Sequence, residues 1–358
     1  MLNNFRHLDV EILGASHADR ITLRVKGLPQ WKRIDLDELQ AFVDRRRASI
    51  NAFSTKRIEK DIIHISSGMV NGVLDGKLFE AYVLNENRHS SDYDNLKDTP
   101  RPSHADYAAY VKWNGKEDMR GGGKFSGRMT LTICILGGIA KQLLRDYGID
   151  VEAYISSIGG IKASSYKDEI PSIDSFNGID NIFRVFKNKD AIEKEIEKVA
   201  SEGDSIGGTI ECIAYNVMPG LSDTLFESLE GKISSSLFAI PAVKGVEFGL
   251  GFDISSQRGS QANDEFYYDE EKKVRTYSNN NGGINGGIAN GMPITMRVAI
   301  KPTPSISKPQ RTINLKTKEN VILEIKGRHD ACIVPRAVAP VEAAVAIALL
   351  DCILYEGR

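Results

Sequence analysis

Three histidines stand in polar, turn-prone surroundings: His17 in GASHADR, His104 in RPSHADY and His329 in GRHDACIVPRA. Each follows a small polar or basic residue and has an acid one or two positions later, namely Asp19, Asp106 and Asp330. Imidazole titrates close to neutrality, so a histidine so placed can give a proton to a leaving group or a cofactor without a large shift. A lone loop histidine is more often a surface or capping group, and His7, His64 and His89 are read that way. Neither GxSxG nor HExxH accompanies any of them.

Two glycine-rich stretches come next. GGGKFSG precedes a helical pattern, so its amides and the helix N-terminus suit an anion. NNNGGINGGIANG precedes a strand pattern and suits a flat ligand or another close approach to backbone. Neither fits GxxxxGK[ST] or a strand-to-helix GxGxxG. Basic residues gather at Arg45, Arg46, Arg47, Lys56, Arg57 and Lys60. For most of these a solvated helix end is the simpler reading, but a polyanionic substrate needs some of them, with Arg128 or Arg336, as bidentate anchors.

Elements must hold these groups in place. Apolar and polar residues alternate around Val10, Ile12, Ile21, Leu23 and Val25, which predicts strands on either side of GASHADR. Asp35 is expected to cap a helix that buries Leu36, Leu39 and Val43. Further helices are expected over 130–147, 191–201, 224–237 and 338–355. Strands are expected over 62–66, 78–84, 151–157, 208–217, 243–249 and 294–300, with 255–291 the one long irregular stretch. Hairpin signals such as Asn71-Gly72 and Asp75-Gly76 argue for an α/β protein with a mixed sheet in place of a purely parallel one.

Bulk properties exclude several classes. Against 46 basic residues stand 48 acidic ones, for a net charge of −2, so no global field draws nucleic acid or an anionic membrane. Cys134, Cys212, Cys332 and Cys352 lie far apart without a CxxC pair, and the expectation is reduced, buried thiols with no metal site and no disulfide framework. The start of the chain lacks a signal-peptide pattern, and no uninterrupted apolar run is judged long enough to span a bilayer; a cytoplasmic protein is expected.

Taken together, the motifs resemble the chorismate synthase family. The segments that carry the resemblance run in order along nearly the whole chain: GASHADRITLRVKGLP, RRR and STKRIEKD, SSGMVNGVLDG, RPSHADY, the triple glycine with Ser126, AVKGVEFGLGF, GSQANDEF, NNNGGINGGIANG, VAIKPTPSI and GRHDACIVPRAVAPVEA. The resemblance implies one domain over residues 1–358. Its implied fold is a β-α-β sandwich with mixed, largely antiparallel sheets, unlike a Rossmann fold, usually assembled as a homotetramer. The implied reaction is the anti-1,4-elimination of phosphate from 5-enolpyruvylshikimate 3-phosphate to give chorismate in the shikimate pathway of aromatic amino acid biosynthesis. It uses reduced FMN without net redox change.

Carried over by motif, His17 is expected to act on the reduced flavin, His104 to protonate the departing phosphate, and Asp330 to relay the ring proton. FMN is expected at Lys124, Phe125, Ser126, Pro241, Ala242, Gly286, Lys301, Pro302, Thr303, Pro304, Ser305 and Arg328. Ser16, Arg46, Arg128 and Arg336 are expected on the substrate side, with Ser16 and Ser126 supporting the proton-transfer groups. The chain departs from the family pattern at Ala15, Ala18, Ala52, Phe125 and Met129, where the family usually has Glu, Gly, Arg, Ser and Glu. The change at Ala52 touches a position linked with NADPH in the family and tilts expectation from self-reduction with NADPH towards an outside reductant. An FMN-binding paralogue of the same fold without lyase activity is the alternative.

Overall fold

The computed structural model describes residues 5–47, 60–85, 98–117, 120–180, 183–325 and 330–358. Two antiparallel sheets enclose a layer of helices. Strands β1 (Asp9–Leu13), β2 (Arg20–Lys26), β3 (His64–Ser67) and β4 (Phe79–Leu84) form the first sheet in the order β1-β2-β4-β3. Strands β5 (Asp150–Ile158), β6 (Ile161–Lys162), β7 (Gly208–Tyr215), β8 (Val243–Phe248) and β9 (Ile294–Ile300) form the second, in the order β8-β9-β7-β5-β6. All pairings described within the two sheets are antiparallel. One face of β2 buries Ile21, Leu23 and Val25, as the alternation requires.

Helix α1 (Leu36–Asp44) is capped by Asp35, whose carboxylate accepts from the backbone N–H groups of Asp37 and Glu38 at 2.9 and 3.0 Å. Its buried face is Leu39, Phe42 and Val43, while Leu36 is exposed, because packing on helix α3 (Thr130–Arg145) selects the stripe one turn further on. Helix α2 (Asp106–Trp113) was not expected from the pattern: it is short and buries only Asp106 and Ala109. Helices α4 (Lys189–Ser201), α5 (Leu229–Phe238) and α6 (Val334–Glu356) fall close to the expected positions. The stretch over 255–291 is less irregular than expected, holding the hairpins Phe266–Tyr268 with Val274–Thr276 and Ile284–Asn285 with Ile288–Ala289.

Helices α3 and α6 pack against each other at the centre, α6 against β5 and β7 and α3 against β2. By length and composition α6 could cross a bilayer, although Arg336, Glu342 and Asp351 interrupt its apolar run; it is a core helix, 94% buried over its most apolar stretch. One buried carboxylate ties the layers together. Glu342 of α6 accepts two hydrogen bonds from Arg45, at 2.8 and 3.0 Å, and pairs with Lys141 of α3. The reading of the basic cluster as a solvated helix end is therefore corrected for Arg45 and Arg46, both of which make internal ion pairs. Lys56 and Arg57 lie outside the described residues. All four cysteines are buried and free.

Candidate active site

A cleft of about 720 Å³ opens where the end of α1, the glycine turn, the loop before β8, the loop after β9 and the start of α6 converge. Three non-glycine residues on its wall, Asp61, Ser103 and Ala242, have positive φ values of 47°, 58° and 75°. Such backbone is costly for L-residues and gathers where a fold must aim particular groups.

The triple glycine builds the floor. Gly121, Gly122 and Gly123 take φ of 58°, 88° and 53°, and the chain then passes through a 3-10 turn capped by Ser126 into α3. A Cβ on Gly121 would sit 2.0 Å from Cε1 of His17, and one on Gly122 would sit 3.5 Å from Nε2 of His104. The two histidines thus flank neighbouring glycines of one turn. Behind Gly121, His17 Nδ1 lies 3.1 Å from Ser16 Oγ, and Ser16 Oγ donates to the Gly121 carbonyl at 3.3 Å.

His104 is gripped from its own segment. Its Nδ1 is 2.6 Å from Asp106 Oδ1 and 3.0 Å from Arg101 Nη2. Arg101 also donates to Asp106 from Nε at 2.7 Å, from Nη2 at 2.8 Å and from its backbone N–H at 3.0 Å, and reaches Ser305 Oγ at 3.2 Å. Burial opposes charge on Asp106, but the hydrogen bonds from Arg101 and His104 outweigh it and hold its carboxyl well below the usual range. Lys301 Nζ donates to the Ser103 carbonyl at 2.5 Å, and burial lowers its pKa, assisted by Lys244.

Across the cleft stand the arginines. Asp61, which sequence reasoning passed over, bridges Arg46 and Arg128 at 2.8 and 2.9 Å. Arg46 also donates from Nε to Thr130 Oγ1 at 3.3 Å, and Arg128 from Nε to Asn85 Oδ1 at 2.5 Å. Asp330 pairs with Arg336, whose Nε donates to the Arg46 carbonyl at 3.2 Å.

Most of the residues named from sequence meet here. His104, Lys124, Phe125, Ser126, Arg46, Arg128, Arg336, Asp330, Pro241, Ala242, Lys301, Thr303, Pro304 and Ser305 all line the cleft. Pro302 is exposed beside them. Gly286 is exposed at the tip of the second small hairpin, beside the start of α5 and apart from the cleft-lining set. Arg328, His329 and Ala52 lie outside the described residues. Asp106 carried a signal in its spacing from His104; Asp61 had none, since its role depends on two arginines distant in sequence.

The matching family model is that of chorismate synthase, over residues 8–354. The chain belongs to the chorismate synthase family. It is 44% identical over 346 residues to the chorismate synthase of Dehalococcoides mccartyi, covering 96% of this chain and 94% of that one. It is likewise 44% identical over 350 residues to that of Thermococcus gammatolerans, covering 97% and 96%. A solved structure titled as a crystal structure of chorismate synthase superimposes with a TM-score of 0.76 at 27% identity, covering 99% of this chain and 93% of that one. The fold is the β-α-β sandwich of that family, and membership makes the chain a carbon–oxygen lyase acting on a small phosphorylated substrate.

Two of the expected departures, Ala15 and Ala18, fall where backbone does the work. The Ala15 and Ala18 carbonyls accept from Asn85 Nδ2 at 3.4 and 2.6 Å, contacts that need no particular side chain. Met129 lines an apolar cavity of about 430 Å³ that adjoins the cleft and shares Lys124, Thr130, Ala239 and Pro241 with it.

Proposed function

We propose that the chain converts 5-enolpyruvylshikimate 3-phosphate to chorismate and phosphate by anti-1,4-elimination, with reduced FMN as cofactor. The observation that carries the reading is the convergence of His104, the Asp330–Arg336 pair and the Asp61-bridged arginines in one cleft of a family lyase. The residues present fit the cofactor. Lys124 and Lys301 offer cations for its phosphate, Phe125, Pro241 and Ala242 offer apolar wall for a flat ring system, and the volume is that of a small-molecule site. When bound, reduced FMN supplies electron density that helps the allylic phosphate depart.

The protein's part is to bind, orient and move protons. Arg46 and Arg128, locked side by side on Asp61, present an anion-binding edge for the substrate. His104 delivers a proton from Nε2 to the phosphate as its C–O bond breaks. Asp330, fixed by Arg336, relays the ring proton that leaves as the new double bond forms. His17 supports the turn from behind and acts towards the cofactor through Ser16 and Gly121. An outside reductant keeps the flavin reduced, and the protein works as a homotetramer. Support for assembly comes from the wide exposure of Leu225, Phe226 and Phe252, at 84%, 98% and 84%.

The test is an anaerobic assay of the purified protein with substrate and chemically reduced FMN, following phosphate and chorismate together. Equal yields are expected. Reduced FMN binding with neither product formed would replace this reading by that of a non-lyase paralogue.

A further inference from the structure

His104 Nδ1 has two suitors that require opposite protonation of the same atom. Asp106 Oδ1, at 2.6 Å, is an acceptor and needs Nδ1–H. Arg101 Nη2, at 3.0 Å, is a donor and needs a bare lone pair. A single nitrogen satisfies only one of them. The contact to the carboxylate is the shorter and joins opposite charges once the ring is protonated. The contact to the guanidinium is longer, and Arg101 already spends three donors on Asp106.

We propose that Asp106 and Arg101 are positioning residues that set the proton chemistry of His104 in opposite directions, Asp106 by holding the proton on Nδ1 and Arg101 by partly neutralising Asp106. The inference rests on the reading of His104 as the proton donor given above. Nε2, lying towards Gly122, is then the atom that exchanges protons. In the step itself the Nε2–H bond breaks, the O–H bond of the departing phosphate forms, and Nδ1–H stays on Asp106. The ring recovers its proton from solvent. Among the described residues, the other charged groups lining the cleft are Arg46, Arg47, Arg128 and Arg336, then Lys124, Lys244 and Lys301, and the carboxylates of Asp61 and Asp330, both already paired with arginine.

Two measurements test this. The first needs no turnover: ring ¹⁵N shifts of histidine-labelled, ligand-free protein, with the His104 signals identified by their loss in His104→Ala. At a pH where the ring is neutral, the proton is expected on Nδ1, and it is expected to stay there in Arg101→Met. A neutral ring protonated on Nε2 in the parent would overturn the inference, and this arm stands even if Asp106→Asn or Arg101→Met fails to fold. The second is the pH profile of kcat. Asp106→Asn is expected to lower kcat roughly 10²-fold, the lower end of what general acid catalysis contributes, with KM little changed. Its limb of falling activity at high pH is expected to move to lower pH, whereas that of Arg101→Met moves to higher pH. Lower kcat without either displacement would mean a merely structural role and would overturn the inference. Proton on Nδ1 as expected, with kcat untouched in both Asp106→Asn and His104→Ala, would instead sink the reading of His104 as the acid.

Discussion

At the scale of single residues, the site depends on atoms that are missing as much as on those present. Gly121 lets the turn pass against the His17 ring, because a methyl group there would lie 2.0 Å from Cε1. Its φ of 58° is also one that side chains disfavour. Gly121→Ala is therefore expected to displace the turn and cut turnover by about 10²-fold or more, since an ångström of misplacement near the chemistry has that effect. Steady-state kinetics beside a thermal melt checks it; turnover within a factor of two of the parent would show that His17 and the turn move apart freely. Asp61 makes a complementary point. A carboxylate between two arginines is costly to bury alone, yet bridged at 2.8 and 2.9 Å it fixes where both cations stand.

Helices α3 and α6 decide whether the site is assembled at all, because one carries Arg128 to its start and the other carries Arg336 near its own. They pack tightly at Gly137, where an added Cβ would lie 2.2 Å from Cβ and 2.4 Å from Cα of Ala343. Gly137→Ala is expected to overpack this contact and destabilise by about 1–3 kcal/mol, lowering the melting temperature. Cα of Ala343 would still lie 2.4 Å from the added group, so Ala343→Gly is expected to leave most of the loss in place, which a double-mutant cycle reads directly. An unchanged melting temperature in Gly137→Ala would mean that the helices give way freely there. Element positions were largely legible from periodicity: β9 spans 294–300 as expected, and the Asp35 cap of α1 follows from local chemistry. Helix α2 was not legible, since it buries a single apolar residue, Ala109, and is held instead by the contacts of Asp106.

Across the whole molecule, charge and burial set a pH window for stability. Burial opposes ionisation of Glu342, but Arg45 and Lys141 outweigh it and hold its carboxyl well below the ordinary range, as Arg101 and His104 do for Asp106. Both carboxylates therefore contribute stability that is full above the ordinary carboxylate range, near pH 4, and is lost as pH falls towards their lower folded values. Burial acts the other way on the thiols. Cys134 and Cys332 are pushed up to about 12 and Cys352 to about 11, so the folded state is favoured below the ordinary thiol pKa, near 8.5, and loses that advantage as pH rises through the folded values. The melting temperature is expected to be flat between about pH 5 and 8 and to fall on both sides. The four thiols are expected to react with a thiol reagent only on unfolding. A melting temperature that climbs above pH 9, or rapid labelling of native protein, would contradict this account.

The sequence by itself determined the order of motifs, the strand and helix periods, and hence the family and most of the residues that meet in the cleft. Those signals are local: a period, a cap and a run of glycines act within a few residues of one another. What only the tertiary structure decided is who faces whom. Asp61 between Arg46 and Arg128, Glu342 joining α1 to α3, and Gly286 standing apart from the other expected cofactor residues all arise from packing between segments distant in sequence. Spacing along the chain holds no record of such distances, because they are set by how two sheets close over buried helices.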